Sequence, residues 1–148
     1  MKKTDLAYLA GIFDGEGSIV IHKNKPIKRM VNPTYVIEAN VYNTNEWIIR
    51  QFHFSFGGGV HLQKRQMPST HSGKCPIWVW QISANKALPF LKTLLPYLKL
   101  KRGQVEIAIK FQEEKVRKRY RRSDEKDLAI AEATKLLISN LNKGKQPK

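Results

Sequence analysis

Hydrophobic residues recur along this chain with two different periods. Residues 18–24 read SIVIHKN, with Ile19 and Ile21 on one side and Val20, His22 and Asn24 on the other. A period of two is the signature of a half-buried strand, and Pro26 ends it. Residues 33–43, PTYVIEANVYN, repeat the pattern. Tyr35, Ile37, Ala39 and Val41 face one way; Thr34, Val36, Glu38, Asn40 and Tyr42 face the other. Two more strands follow. In VHLQKRQ, Val60 and Leu62 oppose His61, Gln63 and Arg65. In PIWVWQIS, Trp78, Trp80 and Ile82 point inward and Val79, Gln81 and Ser83 outward.

Between these runs the period lengthens to that of a helix. Residues 5–13 form a short helix with Thr4 or Asp5 as N-cap. Residues 43–56 form a second, with Asn43 or Thr44 as cap and Trp47, Ile48, Gln51 and Phe52 at helical spacing; Gly57, Gly58 and Gly59 stop it. Residues 85–98 are helical despite Pro89 and Pro96. A longer helix runs from Lys99 to about Arg122, and residues 124–142 form the last, with an acidic first turn. The order is helix, two strands, helix, two strands, helix, then a helical tail. This is an α+β plan, αββαββα, with helices on one face of a four-stranded antiparallel sheet. The length suits a single domain over residues 1–148, of which about 98–148 is the C-terminal helical part.

The uncovered sheet face would carry His22, Asn24, Glu38, Asn40, Tyr42, His61, Gln63, Arg65 and Gln81. Amide, imidazole and guanidinium groups suit base edges, although an ordinary solvated face reads alike. Charge separates the two readings. Lys and Arg number 27 against 12 Asp and Glu, a net +15. Such a balance fits DNA, RNA or an anionic membrane surface. The basic residues are not gathered on one amphipathic helix, and no apolar run approaches the ~18 residues of a membrane span. Lys28 and Arg29, between the first two strands, join the nucleic-acid face. KVRKRYRR, residues 115–122, holds six basic residues in eight. Lys118 stands for its phosphate contacts, against the plainer reading of a solvated helix end.

Other chemistry is excluded. His53, His61, His71 and Cys75 form no CxxC or HxxxH pair, so zinc is not supported. The lone Cys75 allows no internal disulfide and fits a reducing compartment. FGGGV is not followed by Gly-Lys-Ser/Thr and is no phosphate loop. The apolar stretch at residues 7–12 is too short for a signal peptide, so the protein is expected inside the cell, at DNA.

The first helix carries small residues at i and i+4: Ala7 with Gly11, Ala10 with Asp14, Gly11 with Gly15. Small residues on one face let two helices approach closely. With one copy of the pattern, the partner is a second chain about a two-fold axis, and Ala7, Ala10, Gly11 and Asp14 form its interface. Asp14-Gly15-Glu16-Gly17 follows at the helix end. A carboxylate beside exposed carbonyl oxygen suits a hard cation, Mg²⁺ or Ca²⁺, while an ordinary turn is the simpler alternative. Two-fold symmetry would bring two Glu16 carboxylates together, where metal would neutralise them.

The segment Leu9-Ala10-Gly11-Ile12-Phe13-Asp14-Gly15-Glu16-Gly17 resembles the LAGLIDADG motif of homing endonucleases along its whole length. The element order is similar to that fold, and PYLKLKRGQ resembles the segment before its long helix, so the likeness spans about residues 6–104. One motif copy resembles the homodimeric subclass. The resemblance implies a saddle-shaped sheet and a site-specific endonuclease, intron-encoded, in a prokaryotic cytoplasm or an organelle. It implies metal-dependent double-strand cuts in a long, roughly palindromic DNA target. Glu16 would be the catalytic acid and metal ligand, joined by the Gly15 carbonyl. Asp14 would be structural, bonding across the helix pair. Lys101 would support the scissile phosphate, with a solvent-facing lysine as the plain alternative. Asn43 stands where relatives hold a Gln near the attacking water, but Thr44, Asn45 and Glu46 follow and no arginine stands in register. The implied cofactor is Mg²⁺ or Mn²⁺, with Ca²⁺ a non-catalytic substitute. The same resemblance allows a splicing maturase bound to its own intron RNA, or a non-catalytic DNA-binding regulator.

Overall fold

The computed structural model describes residues 1–26, 31–63, 76–118 and 123–144. Among them run α1 (Lys3–Glu16), β1 (Gly17–Asn24), β2 (Thr34–Asn43), α2 (Glu46–Phe56), β3 (Gly59–Gln63), β4 (Ile77–Ser83), α3 (Ala87–Leu94), α4 (Arg102–Arg117) and α5 (Glu125–Asn142). The sheet is antiparallel throughout, in the order β1-β2-β4-β3. The expected α+β architecture is therefore the observed one.

Strand alternation sets the two faces as the sequence predicts. Ile19, Ile21, Tyr35, Ile37, Ala39, Val41, Trp80 and Ile82 are all buried, packed with Leu9, Phe13, Ile49, Phe52, Phe90, Leu91 and Leu94. Aromatic contacts tie the helices to the sheet and to each other: Trp80 to Phe90 at 4.8 Å and Phe52 to Trp80 at 5.1 Å across to the sheet, and Phe13 to Phe90 at 5.2 Å between α1 and α3. Such pairs each add about 0.5–1.5 kcal/mol beyond burial. The Trp80 indole donates to the Gly57 carbonyl at 2.6 Å. Gly58 has φ +85°, and a Cβ there would meet the Gln81 carbonyl at 2.5 Å. Only glycine fits this turn into β3.

Several boundaries depart from the sequence reading. α1 begins at Lys3 and continues through Glu16. Neither Thr4 nor Asp5 caps it: Asp5 lies inside the first turn and accepts from the Lys2 backbone N–H at 3.1 Å. Asn45, not Asn43 or Thr44, caps α2, accepting from the Trp47 N–H at 3.0 Å. Ile49 fills the core, whereas Trp47 is 58% exposed. Three successive apolar residues, Trp47-Ile48-Ile49, left the buried face undetermined by period alone. α4 starts at Arg102 and not Lys99, because the amides of residues 99–101 bond to a side chain of α1. It ends at Arg117, with Lys118 as its C-cap, short of the expected end near Arg122, a residue outside those described. α5 lies against β1 and α4, with Asn142 donating to the Ile19 carbonyl at 2.8 Å.

Candidate functional site

The open face of the sheet is built by register. Ser18, Asn40, Gln81 and Gly59 form one row across all four strands. Tyr42, Val79 and His61 form the next, and Val20, Glu38 and Ser83 another. Farther out lie His22 beside Val36 and Asn24 beside Thr34, and at the other margin Gln63 beside Ile77. Every predicted open-face residue among the described ones lies on this side: His22, Asn24, Glu38, Asn40, Tyr42, His61, Gln63 and Gln81. Lys28, Arg29 and Arg65 fall outside the described residues. Ser83, read as outward, shares the face, and so does Ser18, which was not assigned to it although strand parity alone places it there.

Part of this face is internally organised. Glu38 Oε1 accepts from His22 Nε2 at 3.2 Å and from Asn40 Nδ2 at 3.0 Å. A carboxylate only accepts here, so it settles both partners: the Asn40 amide nitrogen and a protonated His22 Nε2 point at it. Asn40 is 4% exposed, and its Oδ1 has no donor.

At the sheet's other limit, α1 delivers Glu16 directly into β1. Glu16 is exposed and accepts a short hydrogen bond from the Asn43 amide at the end of β2. Asn43 Oδ1 in turn accepts from the Asn45 N–H at 2.7 Å, so the amide is fixed at both ends. The structure thus brings Glu16 and Asn43 together across 27 residues of sequence.

Asp14 is placed differently from the expectation. Its buried carboxylate accepts from the backbone N–H groups of Lys99 (2.7 Å), Leu100 (3.2 Å) and Lys101 (3.0 Å). All three donors belong to its own chain, a role the sequence reading did not include. Burial pushes its carboxyl up, but the Lys99, Lys101 and Leu100 amides outweigh that and hold it below the ordinary value. The same turn returns Lys101 to α1, where its ammonium donates to the Asp14 carbonyl. Burial lowers the Lys101 pKa, opposed by the Asp14 charge. A cation at a helix C-terminus is favourably placed against the dipole.

The four predicted interface residues of α1 divide into two. Ala7 and Gly11 are exposed, in line with Gly15. Ala10 and Asp14 are buried in the protomer, so the expectation that they line a contact with a second chain is corrected. At 3.6 residues per turn the two pairs lie on neighbouring stripes, and only one faces out. Gly15 belongs to the exposed stripe and was left out of it. Lys118 is also committed: its ammonium sits 2.6 Å from Asp127 of α5 and 3.9 Å from Glu114 of α4. That pairing competes with the phosphate contact expected of it. Among the described residues no cluster of three or more His, Cys, Asp or Glu side chains could hold a metal within one protomer, and no helix is long and apolar enough to cross a membrane.

No protein-family model matches the sequence, and no curated protein does. Solved structures do. The homing endonuclease I-CvuI, in complex with a DNA target, aligns with a TM-score of 0.74 at 21% identity, over 99% of this chain and 87% of that one. The archaeal intron-encoded homing endonuclease I-Vdi141I, complexed with DNA, gives 0.73 at 11% identity, over 95% and 86%. The LAGLIDADG homing endonuclease I-SmaMI, bound to cleaved DNA, gives 0.62 at 19% identity, over 86% of this chain but 41% of that one.

Proposed function

We propose that this chain, which has the fold of the LAGLIDADG homing endonucleases, is a single-domain, site-specific DNA endonuclease acting as a homodimer. It would make metal-dependent double-strand cuts in a long, roughly palindromic target, inside the cell that carries it. The observation that carries the reading is the placement of Glu16: an exposed carboxylate where α1 meets the sheet, held by Asn43, two residues beyond Asp14, whose carbonyl takes the Lys101 ammonium.

The residues fit a divalent cation of the Mg²⁺ type. Such ions keep several waters and need only one or two carboxylates with substrate phosphate. Glu16, with the Gly15 carbonyl, would hold it, and the partner chain would supply the rest. Mn²⁺ would serve similarly and Ca²⁺ as a non-catalytic substitute. When bound, the metal supplies charge neutralisation and an acidified water. Asn43 orients the Glu16 carboxylate before any substrate arrives. Lys101 spends one N–H on the Asp14 carbonyl, leaving two for a phosphate oxygen on which negative charge develops. The sheet's open face reads base edges. β1 has eight residues, about 26 Å at ~3.3 Å each, which matches ~8 base pairs per half-site. Two copies would then read ~16 pairs or more.

The test is plasmid cleavage with and without Mg²⁺, run beside a gel shift, on wild type and Glu16→Gln. Wild type should cut only with metal. Glu16→Gln should shift the target and leave it uncut, because the contacts that bind lie elsewhere. Cutting by Glu16→Gln at the wild-type rate would remove the acid from the mechanism. Duplex binding without cutting by wild type would favour a DNA-binding regulator, and binding confined to intron RNA a maturase.

A further inference from the structure

Glu38 is the one carboxylate on the open face among the described residues. Its two oxygens have different fates. Oε1 takes both donors, His22 Nε2 and Asn40 Nδ2. Oε2 takes none. The side chain is 22% exposed, with Val20 and Ser83 at its sides in register. Two donors on one oxygen restrain the group, because turning it would break both bonds. Asn40 cannot turn either, being 4% exposed under its neighbours. A preorganised acceptor is thus presented on a face otherwise suited to a polyanion. Among the described residues Oε2 has no donor, and covering it with DNA has a cost that a donor on a base would offset.

We propose that Glu38, positioned by His22 and Asn40, selects cytosine at one base pair of each half-site. This rests on the reading of the open face as a DNA-reading surface. In the major groove only the cytosine and adenine amino groups donate. The adenine amino lies between two acceptors, its own N7 and the thymine O4, both of which repel a carboxylate. The cytosine amino has an acceptor on one side only, the guanine O6. Thymine and guanine offer this oxygen no donor at all. The position follows from the strand. Glu38 precedes Asn43 by five residues, about 17 Å at ~3.3 Å each. With β2 along the groove, that is ~5 base pairs outward from the cut, at ~3.4 Å per step.

Glu38→Gln tests it, since the variant still offers His22 and Asn40 an amide oxygen and preserves the shape. Binding would be measured on duplexes carrying each base pair at every half-site position, and on one carrying 2-pyrimidinone, a cytosine without its amino group. Wild type should prefer cytosine at one position near the fifth pair by at least about tenfold, and lose that preference with the analogue. Glu38→Gln should bind the analogue and cytosine alike there and keep its preferences elsewhere. His22→Ala, which frees the carboxylate to turn, should weaken the cytosine preference without changing the preferred base. A wild-type preference for another base, or one that Glu38→Gln leaves intact, overturns the assignment while the DNA-reading face stands. Failure to bind any duplex overturns both.

Discussion

The two sides of α1 differ in how much of their sequence the protomer itself accounts for. On the inner side, Leu9, Ala10 and Phe13 are buried in the core, and the Asp14 carboxylate is taken up by three amides. Each of these residue types has a reason within the chain. On the outer side the opposite holds. A Cβ added at Gly11 or Gly15 would meet nothing within 4 Å. Glycine in a helix costs about 0.5–1 kcal/mol relative to alanine, and here the protomer gains nothing in return. The proposed dimer would account for that cost, since a second helix would need the space. Glu16 belongs with the outer side, being exposed and tethered only through Asn43. One helix therefore has an inner stripe that the protomer's own packing explains and an outer stripe that it does not, which is where the proposed dimer and its chemistry would lie.

The largest expected break in this comparison is Asp14→Asn. Three donors lose a charged acceptor, and the new amide group faces N–H groups. We expect a loss of about 3 kcal/mol in urea unfolding. Sign follows from linkage. The folded carboxyl titrates below its ordinary 3.8, so its stabilisation is complete above that value and is lost as pH falls through the folded one. Wild type should therefore lose stability steeply below about pH 4, and Asp14→Asn less so. Equal stability of the two proteins at pH 7 would return Asp14 to the outer side.

The glycines give the next effect and reverse its sign. Gly11→Ala should stabilise the dilute protomer by about 0.5–1 kcal/mol, because the helix gains propensity and no clash. Gly17→Ala is the contrast. Its Cβ would lie 2.4 Å from the Phe13 ring and 2.5 Å from the Phe13 carbonyl, so it should cost about 2 kcal/mol. Gly11→Leu should fold yet give a monomer by light scattering, with cutting lost. Dimeric, active Gly11→Leu would mean that the outer stripe has no partner.

The sheet was legible because Ile19, Ile21, Tyr35, Ile37, Ala39 and Val41 recur with a period of two and are the buried set, and parity then placed the residues between them on the open face. Helical faces were less so. Ala10 and Gly11 are one residue apart and both small, yet one is sealed and the other bare; the sequence holds no local signal to separate them. The α2 cap was misplaced because Asn43, Thr44 and Asn45 are all good caps, and Asn43 is drawn instead to Glu16. Pairings such as Asp14 with residues 99–101, or Glu38 with His22, join distant segments and follow only from tertiary packing. The family likeness pointed to Glu16 and Lys101, but it could not say that Lys118 would be tied to Asp127.

Lys101 carries the smallest expected effect on stability and the finest test of the two sides. Its backbone N–H bonds to the Asp14 carboxylate and its ammonium to the Asp14 carbonyl, in the last turn of α1 before Glu16. Burial lowers its pKa below the usual lysine value, so the folded protein gives up this proton before the unfolded chain does. As pH rises through the folded value, the unfolded state binds more protons and stability should rise slightly. Cutting should move the opposite way if the ammonium stabilises charge on the phosphate, falling through the same range below pH 10.5. Arginine stays charged throughout, so Lys101→Arg should lose that alkaline limb while retaining some cutting. The measurement is the pH profile of cleavage at saturating metal, beside unfolding over the same range. If cutting and stability rise together, or the limb persists in Lys101→Arg, then Lys101 serves only the inner side, as a lid on the last turn of α1.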